Sequence, residues 1–197
     1  MHKALRLQAG LKTDPGPRPV NEDSVAGPLG VPAELLSSKG HLYLLADGMG
    51  GHTAGQEAAD LAVRTALAEY YRDPALGPAE SLASAVARAS EAVGRRAQEP
   101  GRQGMGTTLV AAAVFGDMLY LANVGDSRAY LIRGREIRQL TQDHSWVQEQ
   151  RRAGVLTAEE ARNHPYSNVI TRYLGKAQVR PDSFQEMLHG GDVVVLC

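Results

Sequence analysis

The chain has 197 residues, a formal net charge of -1, and apolar and charged fractions of 43% and 22%. This is ordinary for one globular domain with its own core, and the near-neutral charge argues against a broad nucleic-acid-binding surface. No apolar run approaches the length of a membrane span, and the first residues lack a signal-peptide core. The only cysteine, Cys197, excludes an internal disulfide and a cysteine-rich zinc site, so we expect a cytoplasmic protein.

The first part of the chain predicts two strands and a glycine turn. Residues 4–10 alternate apolar and polar side chains, as a half-buried strand does. After a proline-rich loop and a second loop over residues 27–39, an apolar run at 41–46 predicts a buried strand. That run ends at Asp47, and four glycines follow within eight residues. The pattern indicates a strand, a tight turn and a helix from about Gln56.

Two amphipathic helices are predicted next, and the simplest interpretation is a helix pair that covers a sheet. The first has apolar residues at helical spacing from Ala59 to Tyr70, with Pro74 just past its end. The second has Pro78 near its start and an apolar stripe that runs to Ala97.

From Gly106 the apolar pattern changes to a period of two, which is typical of strands. Because only short turns separate these runs, we expect an antiparallel meander with no room for crossover helices. The predicted strands cover residues 107–115, 118–124, 127–132 and 136–140.

The segment 145–176 is polar and helical, and we expect it to form a surface flap. Three short helices are predicted in it, at 145–152, after the capping box Thr157–Glu160, and at 166–174. The last run, residues 191–197, predicts a turn that leads into a buried strand.

Five acids stand out because each lies in a loop or at the end of a predicted strand. Carboxylates with few nitrogen ligands nearby suit hard cations such as Mg²⁺ or Mn²⁺, although a lone acid is more often a turn former or helix cap. Asp47 favours metal binding because it follows an apolar strand, where an unpaired carboxylate is costly to bury. The same interpretation extends to Glu22. The five acids are Glu22, Asp23, Asp47, Asp126 and Asp143.

Each of two basic side chains near these acids has two interpretations. Arg18, three residues before Asn21, could bind phosphate bidentately or be a surface arginine in a flexible loop. His52 could be a general acid or metal ligand, or could pack over the turn. His144 is interpreted as structural. A nucleotide loop is rejected, because Thr53 replaces the third small residue of a dinucleotide fingerprint and no Walker lysine follows.

Five motifs occur in order along the chain. They are Arg18-x-x-Asn21-Glu22-Asp23, Ala46-Asp47-Gly48-Met49-Gly50-Gly51-His52, Gly106-Thr107-Thr108, Asn123-Val124-Gly125-Asp126-Ser127-Arg128 and Leu140-Thr141-x-Asp143-His144-Ser145. Together they resemble the metal-dependent protein serine/threonine phosphatases of type 2C, in their bacterial form. The resemblance implies an α+β fold of four layers, αββα, in which two antiparallel sheets lie between helix pairs. Residues 1–197 would form one catalytic domain that contains the flap.

The resemblance also implies the roles of the site residues, with two or three Mn²⁺ or Mg²⁺ ions as cofactors. Asp47 would bridge two of these ions. Glu22 and the Gly48 carbonyl would bind one of them, with Asp23 as a further acid close by. Asp126 would contribute to a third, weaker metal site.

The implied reaction is hydrolysis of phosphoserine or phosphothreonine monoesters by a metal-activated water. Arg18 would hold the substrate phosphate while Asp47 holds the metals. Eukaryotic relatives have a histidine, their proposed general acid, where this chain has Met49, so the acid is left open between His52 and metal-bound water. The expected partners are phosphoproteins and serine/threonine kinases or their targets. We expect a monomer that binds neither nucleic acid nor membrane.

The family pattern continues past a strand like residues 193–197 with two further ligand acids, and this chain ends before the first of them. We therefore expect a catalytic domain that is incomplete at its C-terminus. The missing acids favour an alternative, a non-catalytic phosphatase-like module that binds phosphopeptide or metal. The intact Arg18, Glu22 and Asp47 favour ancestry in an active enzyme.

Overall fold

The structure is a computed structural model that describes residues 5–51, 53–176 and 179–197. Nine strands and five helices form within these ranges. In chain order they are β1 (Asp23–Ala26), α1 (Ala33–Lys39), β2 (His41–Met49), α2 (Thr53–Arg72), α3 (Pro78–Ala97), β3 (Gly106–Thr107), β4 (Leu109–Phe115), β5 (Met118–Val124), β6 (Ala129–Arg133), β7 (Glu136–Gln139), α4 (Trp146–Arg152), α5 (Ala158–Arg162), β8 (Asp182–Met187) and β9 (Val193–Leu196). Within the described residues, every helix is too short or too polar to span a lipid bilayer.

Two antiparallel sheets pack face to face. The larger has the strand order β1-β2-β4-β5-β8, with β3 paired to the end of β2, and the smaller has the order β7-β6-β9. In β4, Ala111 and Ala113 belong to a core shared with α2 and α3, whereas Val110, Ala112 and Val114 belong to the core between the sheets. This alternation follows from the pleat of a strand. The predicted α+β class with two antiparallel sheets is confirmed.

The helix pair α2 and α3 covers the larger sheet, as the sequence predicts. Small buried residues such as Ala58 and Ala62 let α2 approach its neighbours closely. At the start of α3, the Gly77 N–H donates to the Glu80 carboxylate at 2.9 Å, and Pro78 supplies a preset φ. The Tyr71 hydroxyl of α2 accepts from the Leu42 N–H at 3.0 Å, which fixes the start of β2 against the helix.

The N-terminal predictions are partly wrong. Residues 5–10 form no strand, although Leu5 and Leu7 pack against the core between the sheets. The apolar side chains alternate because one side of this extended segment packs against the core, although its backbone pairs with no neighbouring strand. The predicted loop over residues 27–39 contains the helix α1, and the strand β1 was not predicted at all.

The predicted meander is also wrong. The pairs β4–β5 and β6–β7 are hairpins, but β5 pairs with β8 and β6 pairs with β9. Between β5 and β6 the chain turns at Gly125, where φ is +107°, and crosses from one sheet to the other. Short spacing between strands therefore does not distinguish a hairpin from a crossing between stacked sheets.

Two predictions for the last part of the chain need correction. Helices α4 and α5 form as expected, but residues 166–174 are turns and isolated bridges, because their backbone groups bond to other segments. The Thr171 N–H, for example, donates to the His144 carbonyl at 2.8 Å. The strand β9 is not buried as predicted, since Val193 is 51% exposed on its outer face.

Candidate metal centre at the sheet edge

Asp47 and Asp23 are neighbours on adjacent strands at one edge of the larger sheet. They are direct partners in the antiparallel register of β1 and β2. The Cβ atoms of such a pair lie about 5 Å apart, so both carboxylates occupy the same place on the sheet. Asp47 is exposed at the rim, whereas Asp23 is half-buried. The predicted end of the strand at Asp47 is wrong, because β2 continues to Met49, and the register with Asp23 was not predicted.

The acids at this edge repel one another. Although Asp47 is exposed overall, partial desolvation of its carboxyl group at the sheet edge, followed by the negative charges of Asp23 and Asp126, raises the pKa of Asp47 to about 6. The positive charge of Arg18 acts in the opposite direction on the same pKa. Burial is also the main reason that the pKa of Asp126 is raised, and the charge of Asp143 adds to it. The edge therefore carries excess negative charge that a bound cation would offset.

Glu22 reaches this edge beside two closely packed glycines. The Gly48 N–H donates to the Glu22 carbonyl at 3.0 Å. A Cβ added at Gly48 would lie 2.0 Å from the Gly55 carbonyl oxygen, and one at Gly55 would lie 2.8 Å from Glu22 Oε2. Gly48 therefore needs glycine because the Gly55 backbone approaches so closely, not because of a positive φ, whereas a Cβ at Gly55 would displace the Glu22 carboxylate.

Asp126 and Asp143 lie near each other but differ in their partners. Asp143 accepts from Arg128 through both carboxylate oxygens, at 2.6 to 3.1 Å, and is therefore held by an ion pair. His144 accepts from the Gly125 N–H through Nδ1 at 3.0 Å, and its Nε2 lies 3.2 Å from Asp182 Oδ2. These contacts support the structural interpretation of His144, and they fix the turn that carries Asp126.

The two basic candidates differ in what the structure says of them. Arg18 is exposed in the loop before β1, and its positive charge acts to lower the pKa of Asp47. His52 lies outside the described residues.

The sequence predicted no role for Thr108 and Ser127, although both belong to the motifs quoted above. Thr108 accepts from the Asp47 N–H at 2.9 Å, and its hydroxyl lies 2.7 Å from that of Ser127.

A cavity of about 300 Å³ opens beside Asp23 and Asp47, and Lys12 and Ser127 are among its lining residues. In the part of the chain that the structure describes, no group of three or more His, Cys, Asp and Glu side chains is arranged to hold a metal ion by itself. The donor chemistry nevertheless fits a hard cation, because Asp47 and Asp126 offer carboxylate oxygens. Both carboxyl groups have raised pKa values, so a nearby positive charge would stabilise their ionised forms.

Comparison with known proteins gives consistent matches. Residues 18–155 match the family Protein phosphatase 2C. The chain is 39% identical over 162 residues to the serine/threonine phosphatase stp of Listeria monocytogenes serotype 4b (strain F2365), a match that covers 79% of this chain and 64% of that protein. The chain thus spans less than two thirds of the length of this relative.

Two solved structures resemble the fold described above. The crystal structure of the Mycobacterium tuberculosis serine/threonine phosphatase PstP/Ppp has a TM-score of 0.77 at 36% identity, covering 98% of this chain and 75% of that one. The catalytic domain of the serine threonine protein phosphatase PstP in complex with 2 manganese ions has a TM-score of 0.73 at 34% identity. That match covers 98% of this chain and 74% of the other.

Proposed function

Because this chain belongs to the protein phosphatase 2C family, we propose that the protein hydrolyses phosphoserine and phosphothreonine monoesters in other proteins. The observation that carries the proposal is the cross-strand pairing of Asp23 and Asp47 at one sheet edge. Burial of the Asp47 carboxyl group, followed by the charges of Asp23 and Asp126, raises the pKa of Asp47 to about 6. The names of the relatives support the same activity. These findings favour a phosphatase over the non-catalytic module.

The proposed cofactors are two or three Mn²⁺ or Mg²⁺ ions held by the acids of this edge. Asp47, Glu22, Asp23 and the Gly48 carbonyl would bind the main ions, and Asp126 would contribute to a weaker site. The manganese reported for the PstP catalytic domain supports a divalent cation. When bound, such cations would polarise an attacking water and the phosphoryl oxygens, which lowers the barrier to phosphate monoester hydrolysis.

The protein's own side chains would bind and orient the substrate. Arg18 would present a planar fork of donors that matches two phosphoryl oxygens. The effect of its positive charge on the pKa of Asp47 supports this role. The exposed position of Arg18 leaves it free to meet a phosphate on a protein surface. His52 is our candidate for the acid that protonates the leaving oxygen. The flap, residues 145–176, would shape access within a single domain over residues 1–197.

The reaction that we propose implies the chemistry of the partners. The substrates would be phosphoproteins, among them serine/threonine kinases or the targets of such kinases. We propose a monomeric, cytoplasmic enzyme, and the single cysteine of the sequence supports the cytoplasmic setting.

The test is Mn²⁺-dependent hydrolysis of p-nitrophenyl phosphate and of a phosphothreonine peptide by the intact protein. Asp47→Ala should lose activity by at least about a hundredfold, since it removes the central carboxylate. Asp117→Asn is the matched control, because this exposed acid lies in the β4–β5 turn and should leave activity unchanged. Full activity of Asp47→Ala would contradict the proposed site. A wild-type protein that binds Mn²⁺ but turns over neither substrate would favour the non-catalytic module.

A further inference from the structure

The backbone of Asp47 is held by two adjacent threonines. The Asp47 N–H donates to Thr108 Oγ1 at 2.9 Å, and the Asp47 carbonyl accepts from the Thr108 N–H at 2.9 Å. The Thr107 hydroxyl also donates to the Asp47 carbonyl, at 2.9 Å. Both threonines are fully buried, whereas Asp47 is exposed, so these bonds join the core to the rim of the sheet. The position of the Asp47 main chain therefore depends on residues 107–108.

Thr108 also reaches the segment that carries Asp126. Its hydroxyl lies 2.7 Å from the hydroxyl of Ser127, which is 7% exposed and follows Asp126 directly. A Cβ added at Gly125 would lie 2.5 Å from Thr108 Cγ2, so the turn packs against the same threonine side chain. Thr108 thus contacts the residues on both sides of Asp126.

One hydroxyl group can serve both contacts. Thr108 Oγ1 accepts the Asp47 N–H through a lone pair, which leaves the Thr108 proton available for donation to Ser127. The two hydroxyls then connect β2 of the larger sheet with the turn that crosses to the smaller sheet. Loss of the Thr108 hydroxyl would leave the Asp47 N–H without that partner, and losing a hydrogen bond to a partly buried donor is destabilising.

We propose that Thr108 and Ser127 are positioning residues that fix the segments carrying Asp47 and Asp126 relative to each other, so that each acid is held at its cation site. This proposal rests on the proposed function, in which both acids bind divalent cations. Neither hydroxyl needs to contact the substrate. The pair acts by setting where the two carboxylates lie, because a metal site depends on groups that orient its ligands.

The test is Mn²⁺ binding to the intact protein by isothermal titration calorimetry, with the thermal midpoint measured on the metal-free protein. Thr108→Val keeps the shape but loses the hydroxyl, and Ser127→Ala removes only the bridge. Each should raise the Kd for Mn²⁺ by about tenfold, in the range seen when groups that orient metal ligands are removed. The double variant should match Thr108→Val within about twofold, because both changes break one connection. Thr108→Ser should keep the wild-type Kd, because serine retains the hydroxyl.

Thr141→Val is the matched control. Thr141 is also buried, and its hydroxyl accepts from the Ala129 N–H at 3.0 Å within the smaller sheet. This variant should lower the thermal midpoint without changing the Kd for Mn²⁺. A wild-type Kd in both Thr108→Val and Ser127→Ala would overturn the proposal. If Thr108→Val does not fold, Ser127→Ala decides alone. A wild-type protein without Mn²⁺ binding would instead contradict the proposed function.

Discussion

Asp23 and Asp47 are direct cross-strand partners in the antiparallel register of β1 and β2. Like charges placed opposite each other destabilise a sheet, so two aspartates in this position are unfavourable for folding alone. Burial and the charges of Asp23 and Asp126 raise the pKa of Asp47 to about 6. The arrangement is therefore expected to be more stable when a cation or a proton is bound.

The first prediction concerns pH and Asp47 in the metal-free protein. Since the folded pKa, about 6, lies above the ordinary 3.8, the folded state binds the proton more tightly than the unfolded state. Ionisation of Asp47 therefore lowers the free energy of unfolding as the pH rises from about 4 to about 6, and this free energy stays lower above that range. The variant Asp47→Asn should remove this destabilisation, because asparagine does not ionise. We expect the free energy of unfolding at pH 7 to rise by about 1 kcal/mol, a reduced value because Asp47 is exposed.

Urea unfolding at pH 4 and pH 7 with a chelator measures this effect. The difference in unfolding free energy between the two pH values should be smaller in Asp47→Asn than in the wild type. Asp117→Asn, which removes a distant exposed carboxylate, should keep the wild-type difference. Equal pH dependence in all three proteins would show that Asp47 is not held in a repulsive cluster.

The second prediction concerns metal addition and removal. A cation that binds only the folded state stabilises it by about 2.7 kcal/mol at a concentration one hundred times its Kd. Mn²⁺ should therefore raise the thermal midpoint, and a chelator should reverse the shift. Because protons compete with the metal for the carboxylates, the shift should be larger at pH 7 than at pH 5. A shift of the same size at both pH values, or in Asp47→Asn, would argue against binding at this edge.

Local patterns predicted the part of the fold that depends on neighbouring residues. The strand at residues 41–46, the glycine turn, the helix pair and the turn at residues 116–117 follow from periodicity and from glycine and proline positions. These local patterns do not predict which strands belong to which sheet. Strands β5 and β6 have similar apolar alternation, and only the turn at Gly125 decides that they lie in different sheets.

The candidate site shows the same limit. The acids were found because each follows a strand or lies in a loop, but their pairing depends on register, which the sequence does not reveal. Asp143 looked equivalent to Asp126 until the structure showed that it is paired with Arg128. Thr108 and Ser127 gave no separate signal, because a hydroxyl at the end of an apolar strand has many possible partners.

The third prediction separates substrate binding from metal binding at Arg18. Arg18→Ala removes a charged donor pair, so kcat/KM for a phosphothreonine peptide should fall by about tenfold to a hundredfold, which corresponds to the 1.5–3 kcal/mol typical of charged hydrogen bonds. Arg18→Lys should recover only part of the loss, because it lacks the bidentate fork. Mn²⁺ should bind Arg18→Ala at least as tightly as the wild type, since the positive charge of Arg18 lies near Asp47. Weaker Mn²⁺ binding would assign Arg18 to the folding of the site.

The fourth prediction uses Gly55, which lies in α2 beside Glu22. On helix propensity alone, Gly55→Ala should stabilise the protein by about 1 kcal/mol. The structure predicts the opposite sign, because the new Cβ would lie 2.8 Å from Glu22 Oε2 and 3.0 Å from the Gly48 carbonyl carbon. We expect a lower thermal midpoint and weaker Mn²⁺ binding. Gly10→Ala is the control, since a Cβ there meets no atom within 4 Å. A more stable Gly55→Ala variant with wild-type Mn²⁺ affinity would show that Glu22 can move without loss to the site.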